Sequence, residues 1–390
     1  MAWFFSEEQK MIQSTARLFA RNSLAPRIEQ LDHEEGFNRE AFFELGKLGL
    51  LGITVPEQDG GAGEGAVSAT IVMEELGAVD ASTTLSYLAH SILCVNQIAA
   101  NGTPEQKQRY LPKLLTGEWL GGMGMSEPGA GSDALGMTTK AEANPSGYLL
   151  NGTKTWITNG PLGQVFYVYA RTGKSRKDIS TFLIDHSMKG FSAGKKFSKM
   201  GMRASPTGEL VFDQVQVPQT ALVGQENGSI KMMMKNLDLE RITIAGISLG
   251  IARGAIEAAT KYATERKQFN RPIGSFQQVQ LMLSEAEAWY QACRALTYQT
   301  AKEWDLGVLT HQEASVKSAS AKLQAAQMAT QVALDAIQIL GGYGYTREFP
   351  VERMMRDAKL IEIGAGTNEI MRLIIARALL GEAANEVNSA

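Results

Sequence analysis

The chain has 390 residues, 44% of them hydrophobic, and its 38 Lys and Arg against 41 Asp and Glu leave a formal net charge of -3. That length and apolar content support two or three domains with proper cores and exclude a disordered or fibrous chain. Near-balanced charge without a Lys/Arg block leaves no electrostatic footprint, so neither nucleic acid nor a membrane is expected as partner and a small molecule is.

Residues 1–13, MAWFFSEEQKMIQ, carry no basic segment followed by an apolar one, which predicts a cytoplasmic protein. No uninterrupted apolar run approaches the roughly 18 residues of a bilayer span. Ser6 and Gln9 form a capping-box pattern, and Met11, Ile12, Ala16 and Phe19 recur at helical spacing behind them. Gly61-Ala62-Gly63-Glu64-Gly65-Ala66, after the possible strand LLGITVP, satisfies the loose glycine fingerprint for dinucleotides. A further helix, AVSATIVMEELG, follows where a βαβ setting and an acid at a strand end are needed, so the match reads as a decoy. Thr103-Pro104-Glu105-Gln106 marks another helix start, with a capping hydroxyl, a proline at the first helical position and a glutamine reaching back.

Near residue 120 the texture changes. GYLLNGTKTWITNG alternates around Asn151-Gly152, a short hairpin signal, and VFYVYA, STFLID and ELVFDQVQVP read as strands. From about residue 228 long helices return, in ISLGIARGAIEAATKYATERKQF, SFQQVQLMLSEAEAWYQACRALTYQTAKEW and SVKSASAKLQAAQMATQVALDAIQIL. Segregated blocks predict an α+β fold, with a helical domain at 1–120, a β-domain at 121–227 and a helical domain at 228–390, rather than a doubly wound sheet. Cys94 and Cys293 are the only cysteines and read as core in a reducing compartment; His33, His90, His186 and His311 are scattered, so no metal site is expected.

Four stretches stand out as candidate site segments. In MGMSEPGAGSD, Met123 to Asp133, Pro128 fixes a bend, Gly129 and Gly131 permit close backbone approach, and Ser126, Ser132 and free N–H groups are donors for anionic oxygens. An ordinary Gly-rich connection fits the same residues. In TWITNG, Trp156 and Thr158 share a strand face, offering a flat aromatic beside a hydroxyl to a planar heterocycle, or forming a plain surface pair. In NLDLERITIAGISLGI, Leu237, Glu240, Ile244, Ile247 and Ile251 fall on one helical stripe, so Glu240 is a lone carboxylate on an apolar face. Burial raises a carboxylate's pKa, as a general base near neutral pH requires; the stripe fits a salt-bridged core glutamate equally well. Asp238 and Arg241, on a neighbouring face, suit a solvated ion pair or contacts to a ligand's ribose and phosphates. Finally, KLIEIGAGTNEIMR clears side chains at Gly364-Ala365-Gly366 just before a predicted helix, Asn368 to Leu380, and holds no acid or base in the clearing.

Together MSEPGAGSD, KTWITNG, ERKQFNRPIGSFQ, QILGGYGY and GAGTNEIMR resemble, in order and across essentially the whole chain, the flavin-dependent acyl-CoA dehydrogenases. The resemblance implies a helical N-terminal domain, a middle β-domain and a C-terminal four-helix bundle, assembled as a homotetramer that binds FAD and an acyl-CoA and passes electrons to an electron-transfer flavoprotein. It implies flavin contacts for Met123, Met125, Ser126, Gly131, Trp156, Ile157 and Thr158, with Ser132 of the same loop also on the acyl-CoA side. Arg266, Phe269, Gln277, Gln338, Gly341 and Gly342 match segments reaching FAD across the subunit contact, and Thr367 and Glu369 match cofactor contacts after the glycine turn.

The implied reaction removes an α-proton and passes a hydride from the β-carbon to the flavin, leaving a trans-2-enoyl-CoA. Most of the family takes its base from a C-terminal EGT turn, where this chain has Ala365. The branch acting on isovaleryl-CoA takes it from a DLER stretch like Asp238-Leu239-Glu240-Arg241, so the resemblance and the stripe select the same Glu240. Gly364 and Ala365 would leave room for that carboxylate and for a branched acyl chain bordered by Ile247 and Ser248, with Ile244 and Gly366 also substrate contacts, while the Ala365 N–H holds the thioester carbonyl and Asp238 and Arg241 meet the CoA portion. Rival readings are a longer straight or terpenoid branched substrate, an acyl-CoA oxidase, or a family member that keeps FAD without catalysis.

Overall fold

The computed structural model describes residues 5–381. The first four residues of the N-terminal stretch and residues 382–390 of the last block lie outside the described residues. The helical block contains α1 (Glu7–Phe19), α2 (Ile28–Glu34), α3 (Arg39–Lys47), α4 (Ala66–Gly77), α5 (Ala81–His90), α6 (Asn96–Asn101) and α7 (Pro104–Leu115). Both predicted capping boxes close: Gln9 N–H donates to Ser6 Oγ at 3.2 Å and Gln106 N–H to Thr103 Oγ1 at 3.3 Å, and each glutamine Oε1 accepts from its cap's N–H. Two otherwise orphaned donors are satisfied at each helix start. Ala16 and Phe19 are buried, but Met11 is 65% exposed. Neighbours on a helix lie about 100° apart, so of Met11 and Ile12 only Ile12 packs on the core. LLGITVP forms a short 3-10 turn at Leu50–Gly52, not a strand, so the fingerprint at Gly61–Gly65 lacks its setting.

The β block comprises β1 (Gly121–Gly124), β2 (Lys140–Asn144), β3 (Gly147–Thr158), β4 (Val165–Arg171), β5 (Ile179–Asp185), β6 (Phe191–Lys196), β7 (Thr207–Pro218) and β8 (Leu222–Val223). They form one sheet in the order β6-β7-β3-β2-β4-β5-β8, with β1 also on β4. β1 pairs in parallel with Val165–Val168 of β4, and β2 joins β4 further on, at Arg171. The stretch between β1 and β2, which includes MSEPGAGSD, is therefore an excursion from the sheet. Asn151-Gly152 corrects the hairpin expectation. β3 runs straight through it as a bulge, with a register shift against β7 between Leu150 and Gly152 and φ of 146° at Gly152. Asn151 Oδ1 accepts from both Gln214 N–H and Gln214 Nε2 at 2.8 Å, and a Cβ on residue 152 would lie 2.5 Å from Thr139 Oγ1. A bulge asks for the same conformational freedom as a tight turn, so the dipeptide does not distinguish them. The actual β2–β3 turn lies at Asn144–Gly147, where Asn144 Oδ1 accepts from Ser146 N–H at 2.9 Å.

The last block holds α8 (Ser229–Glu265), a two-stranded hairpin of β9 (Lys267–Gln268) and β10 (Arg271–Pro272), α9 (Gln277–Asp305), α10 (His311–Leu340), α11 (Val351–Ile363) and α12 (Asn368–Leu380). By length and composition α8 could cross a bilayer, but 78% of its most apolar window is buried inside the protein, so it is a core helix. It lies against α4 closely enough that a Cβ on Gly250 would meet Glu74 O at 2.6 Å. The fold is thus helical, β and helical in turn, and α8 is the element on which all three blocks meet.

Candidate active site

The MSEPGAGSD loop is anchored at one end and open at the other. Lys154, fully buried on β3, donates to Glu127 Oε1 at 2.8 Å and to Met125 O at 3.0 Å. Glu127 also accepts from the N–H groups of Thr138 and Thr139, and Thr155 N–H donates to Ser126 O at 2.9 Å. Burial pushes Lys154 down to about 8, against the pull of Glu127. Burial alone would raise Glu127, but Lys154 and the threonines hold it at about 2. Beyond this clamp Gly129, Gly131 and Ser132 are exposed, and a Cβ on either glycine would have nothing within 4 Å. Met123 is half-buried, with its sulfur 3.4 Å from Asn236 Nδ2 of α8.

Beside this clamp the β3–β7 register slips again, between Lys154 and Ile157, and Trp156 takes φ of 61°. The bulge turns the indole out to 63% exposure, with its ring 4.5 Å from that of Phe197. Ile157 points into the β core, its carbonyl accepting from Gly160 N–H at 3.0 Å, and Thr158 is half-buried. Neither the Ser126 nor the Thr158 hydroxyl makes a hydrogen bond among the described residues. Two free hydroxyls beside an exposed aromatic face fit a planar, polar-edged heterocycle such as the flavin of FAD.

Glu240 lies on α8 with 7% exposure, on the stripe with the buried Leu237, Ile244, Ile247 and Ile251. No hydrogen bond reaches its carboxylate among the described residues. Burial raises it to about 7, opposed only by the more distant charges of Arg241 and Lys322. Asp238 and Arg241 are buried rather than solvated, which corrects that alternative. Asp238 accepts from Arg241 Nη1 at 2.8 Å, Ser318 Oγ at 3.1 Å and Ser315 Oγ at 2.9 Å, because the serine edge of α10 packs over it. Arg241 Nε is buried without a hydrogen-bond partner among the described residues.

The Gly364–Gly366 turn joins α11 to α12. Ala365 takes φ of 54° and Gly366 of 86°, and Ala365 N–H has no acceptor among the described residues. Gly364 meets only Leu360 O, at 3.5 Å from a built Cβ, so the clearing is real. Lys322 of α10 holds the turn, donating to Gly366 O at 2.7 Å and to Asn368 Oδ1 at 3.1 Å. Of the charges around Lys322, that of Glu240 opposes its burial most, and α8, which carries Glu240, packs along α10, so Lys322 links the base candidate electrostatically to the turn. Thr367 Oγ1 caps α12 by accepting from Ile370 N–H, and Glu369 is exposed, paired with Arg372.

The remaining candidates gather elsewhere. Arg266, Gly341 and Gly342 line a cleft of roughly 520 Å³ with Tyr262 and Tyr343, where the ends of α8 and α10 meet. Gln338 is exposed on the last turn of α10, Phe269 stands 87% exposed at the β9–β10 tip, and Gln277 is exposed at the start of α9. Sequence reasoning missed Lys154 and Lys322. Alternation from Tyr148 and Leu150 places Lys154 inside, and Lys322 interrupts an Ala-rich helical face; both signals were readable, but neither names a partner.

Three family models match in order: the acyl-CoA dehydrogenase N-terminal domain over residues 6–118, the middle domain over 122–215 and the C-terminal domain over 227–380. The mitochondrial isovaleryl-CoA dehydrogenase of Solanum tuberosum is 44% identical over 382 residues, which are 97% of this chain and 92% of that protein. Butyryl-CoA dehydrogenase from Megasphaera elsdenii superposes with a TM-score of 0.93 at 37% identity, covering 97% of this chain and 100% of that one. A chain from structural work on the electron transferring flavoprotein of Acidaminococcus fermentans reaches 0.94 at 40% identity, covering 98% and 100%. With the clamp, the exposed indole and the cleared turn in place, the chain belongs to the acyl-CoA dehydrogenase family and is an FAD-dependent oxidoreductase acting on acyl-CoA.

Proposed function

We propose that the protein converts a short branched acyl-CoA, isovaleryl-CoA in the first instance, to the trans-2-enoyl-CoA, with Glu240 as the α-proton base and an electron-transfer flavoprotein as acceptor. The observation that carries this reading is the Glu240 carboxylate itself: buried, without a hydrogen bond, raised to about 7 and close to a turn emptied of side chains. FAD, when bound, supplies the acceptor for the hydride leaving the β-carbon, and Ser126, Trp156 and Thr158 would hold its ring.

The rest is the work of this chain's residues. Near neutral pH Glu240 is ionised often enough to take the α-proton and basic enough to do so efficiently. The unpaired Ala365 N–H is suited to the thioester carbonyl as negative charge develops there, a contribution of roughly 3 kcal/mol for one such donor. Arg241, held in place by Asp238, keeps Nε for an oxygen of the CoA portion, and Ile244 and Ile247 keep water from the carboxylate. The small residues at 364 and 365 leave space for a branch.

A homotetramer belongs to the same reading. Arg266, the residue that ends α8, follows Glu240 by 26 residues, a separation of about 39 Å at 1.5 Å per residue. The Arg266–Gly342 cleft would therefore serve the cofactor of another copy. Anaerobic mixing with a panel of straight and branched acyl-CoAs tests the proposal: isovaleryl-CoA should bleach the flavin fastest, and a Glu240→Gln protein that bleaches as fast as the wild type would remove Glu240 from the chemistry.

A further inference from the structure

Two lysines are fully buried among the described residues, and they are compensated differently. Lys154 donates to the carboxylate of Glu127, whereas Lys322 donates only to neutral oxygens, Gly366 O and Asn368 Oδ1. The charges acting on Lys322 are Glu240 and Arg241 of α8, Glu362 of α11 and Glu369 of α12. Glu362 is tied to Lys359 at 2.6 Å, Glu369 to Arg372 at 3.1 Å, and Arg241 to Asp238 at 2.8 Å. Glu240, for its part, senses Arg241, Lys322 and the buried hydroxyl of Tyr169 on β4. One cation without a bonded carboxylate and one carboxylate without a bonded partner are thus left across the packing of α8 on α10, and the cation grips the left-handed turn.

We propose that Lys322 is a positioning residue for the dehydrogenation: its ammonium favours the ionised form of Glu240 and, through Gly366 O, holds the Ala365 N–H where the thioester carbonyl arrives. The inference rests on the reading of Glu240 as base and Ala365 as donor. The order of ionisation suits it. Burial pushes Lys322 down only to about 8, so it still carries its charge where Glu240, at about 7, gives up its proton.

The test uses FAD-loaded wild type, Lys322→Met, Lys322→Arg and Glu240→Gln, with the rate of anaerobic bleaching by isovaleryl-CoA followed against pH. Lys322→Met should move the ionisation midpoint up by about one pH unit, making bleaching about tenfold slower well below both midpoints, while Lys322→Arg keeps the wild-type midpoint. An unshifted midpoint in Lys322→Met overturns the proposal whatever the plateau rate does. Should Lys322→Met fail to fold, denaturant stability against pH for wild type and Glu240→Gln reads the same coupling without turnover. Lys322 loses its proton in the folded chain before the unfolded one, so stability rises with pH from that point. By reciprocity the rise should begin at lower pH in Glu240→Gln, and an unchanged onset sinks the coupling. The two readings fail separately: a Glu240→Gln protein that bleaches normally removes the base, whereas a silent Glu240→Gln beside an unshifted Lys322→Met keeps the base and removes Lys322.

Discussion

Glu75 and Glu240 are the same residue on two helices packed against each other, α4 and α8, with 1% and 7% exposure, yet they lie on opposite sides of the ordinary glutamate value. Burial pushes both upward. Glu75 accepts from Arg17, Arg253 and Gln13 and ends at about 2, while Glu240 accepts from no group among the described residues and ends at about 7. Glu74, next to Glu75, is closed off in the same way by Tyr290, Tyr298 and Arg294. Burial with donors supplied makes a structural carboxylate that ties three helices together; burial with donors withheld leaves one able to exchange a proton.

Neutralising Glu240 has the largest expected effect. Glu240→Gln should lower the rate of flavin bleaching by isovaleryl-CoA by about 10³-fold, the scale of a lost general base, as read by anaerobic stopped-flow absorbance. The matching change on α4, Glu75→Gln, should leave that chemistry in place but cost about 3 kcal/mol of stability, since Arg253 would stay buried against half a partner. Denaturant unfolding measures it. At pH 8 the sign reverses for α8. Glu240's folded value lies above its unfolded one, so its contribution to stability is present below about 4.5 and lost as pH rises through about 7. Glu240→Gln should therefore be more stable than wild type by about 2–3 kcal/mol at pH 8 and by under about 1 kcal/mol at pH 5. The wild-type bleaching rate should climb through the same region near pH 7, from the acid side. The smallest effect sharpens the claim of a cleared turn: Gly364→Ala meets only Leu360 O, so stability should change by less than about 0.5 kcal/mol. The preference for isovaleryl-CoA over butyryl-CoA should fall by up to about tenfold, the scale of one methyl group.

Much of the fold was legible because it depends on neighbours in sequence. Ser6–Gln9 and Thr103–Gln106 satisfy helix starts within four residues, and both boxes formed. VFYVYA and STFLID became adjacent antiparallel strands. The stripe through Glu240 was buried as its spacing required. Local pattern misled where one preference serves two structures: Asn151-Gly152 suits a turn and a bulge alike, and only the strand opposite, β7, selected the bulge. Alternation put Trp156 and Thr158 on one strand face, but the outward rotation of the indole comes from a register slip between Lys154 and Ile157 that alternation does not contain.

Local pattern was enough to place most helices and strands, to set Glu240 on an apolar face and to show residues 364–366 nearly bare. What surrounds them came from the packing of distant segments. Packing buried Asp238 under two serines some 80 residues away, set Lys322 of α10 on the Gly366 carbonyl with its charge felt by Glu240, and left the Glu240 carboxylate without a hydrogen-bond donor among the described residues. The physical reason is that a pKa and a free donor are properties of an environment assembled from distant residues, whereas helical and strand periodicity is written in consecutive ones.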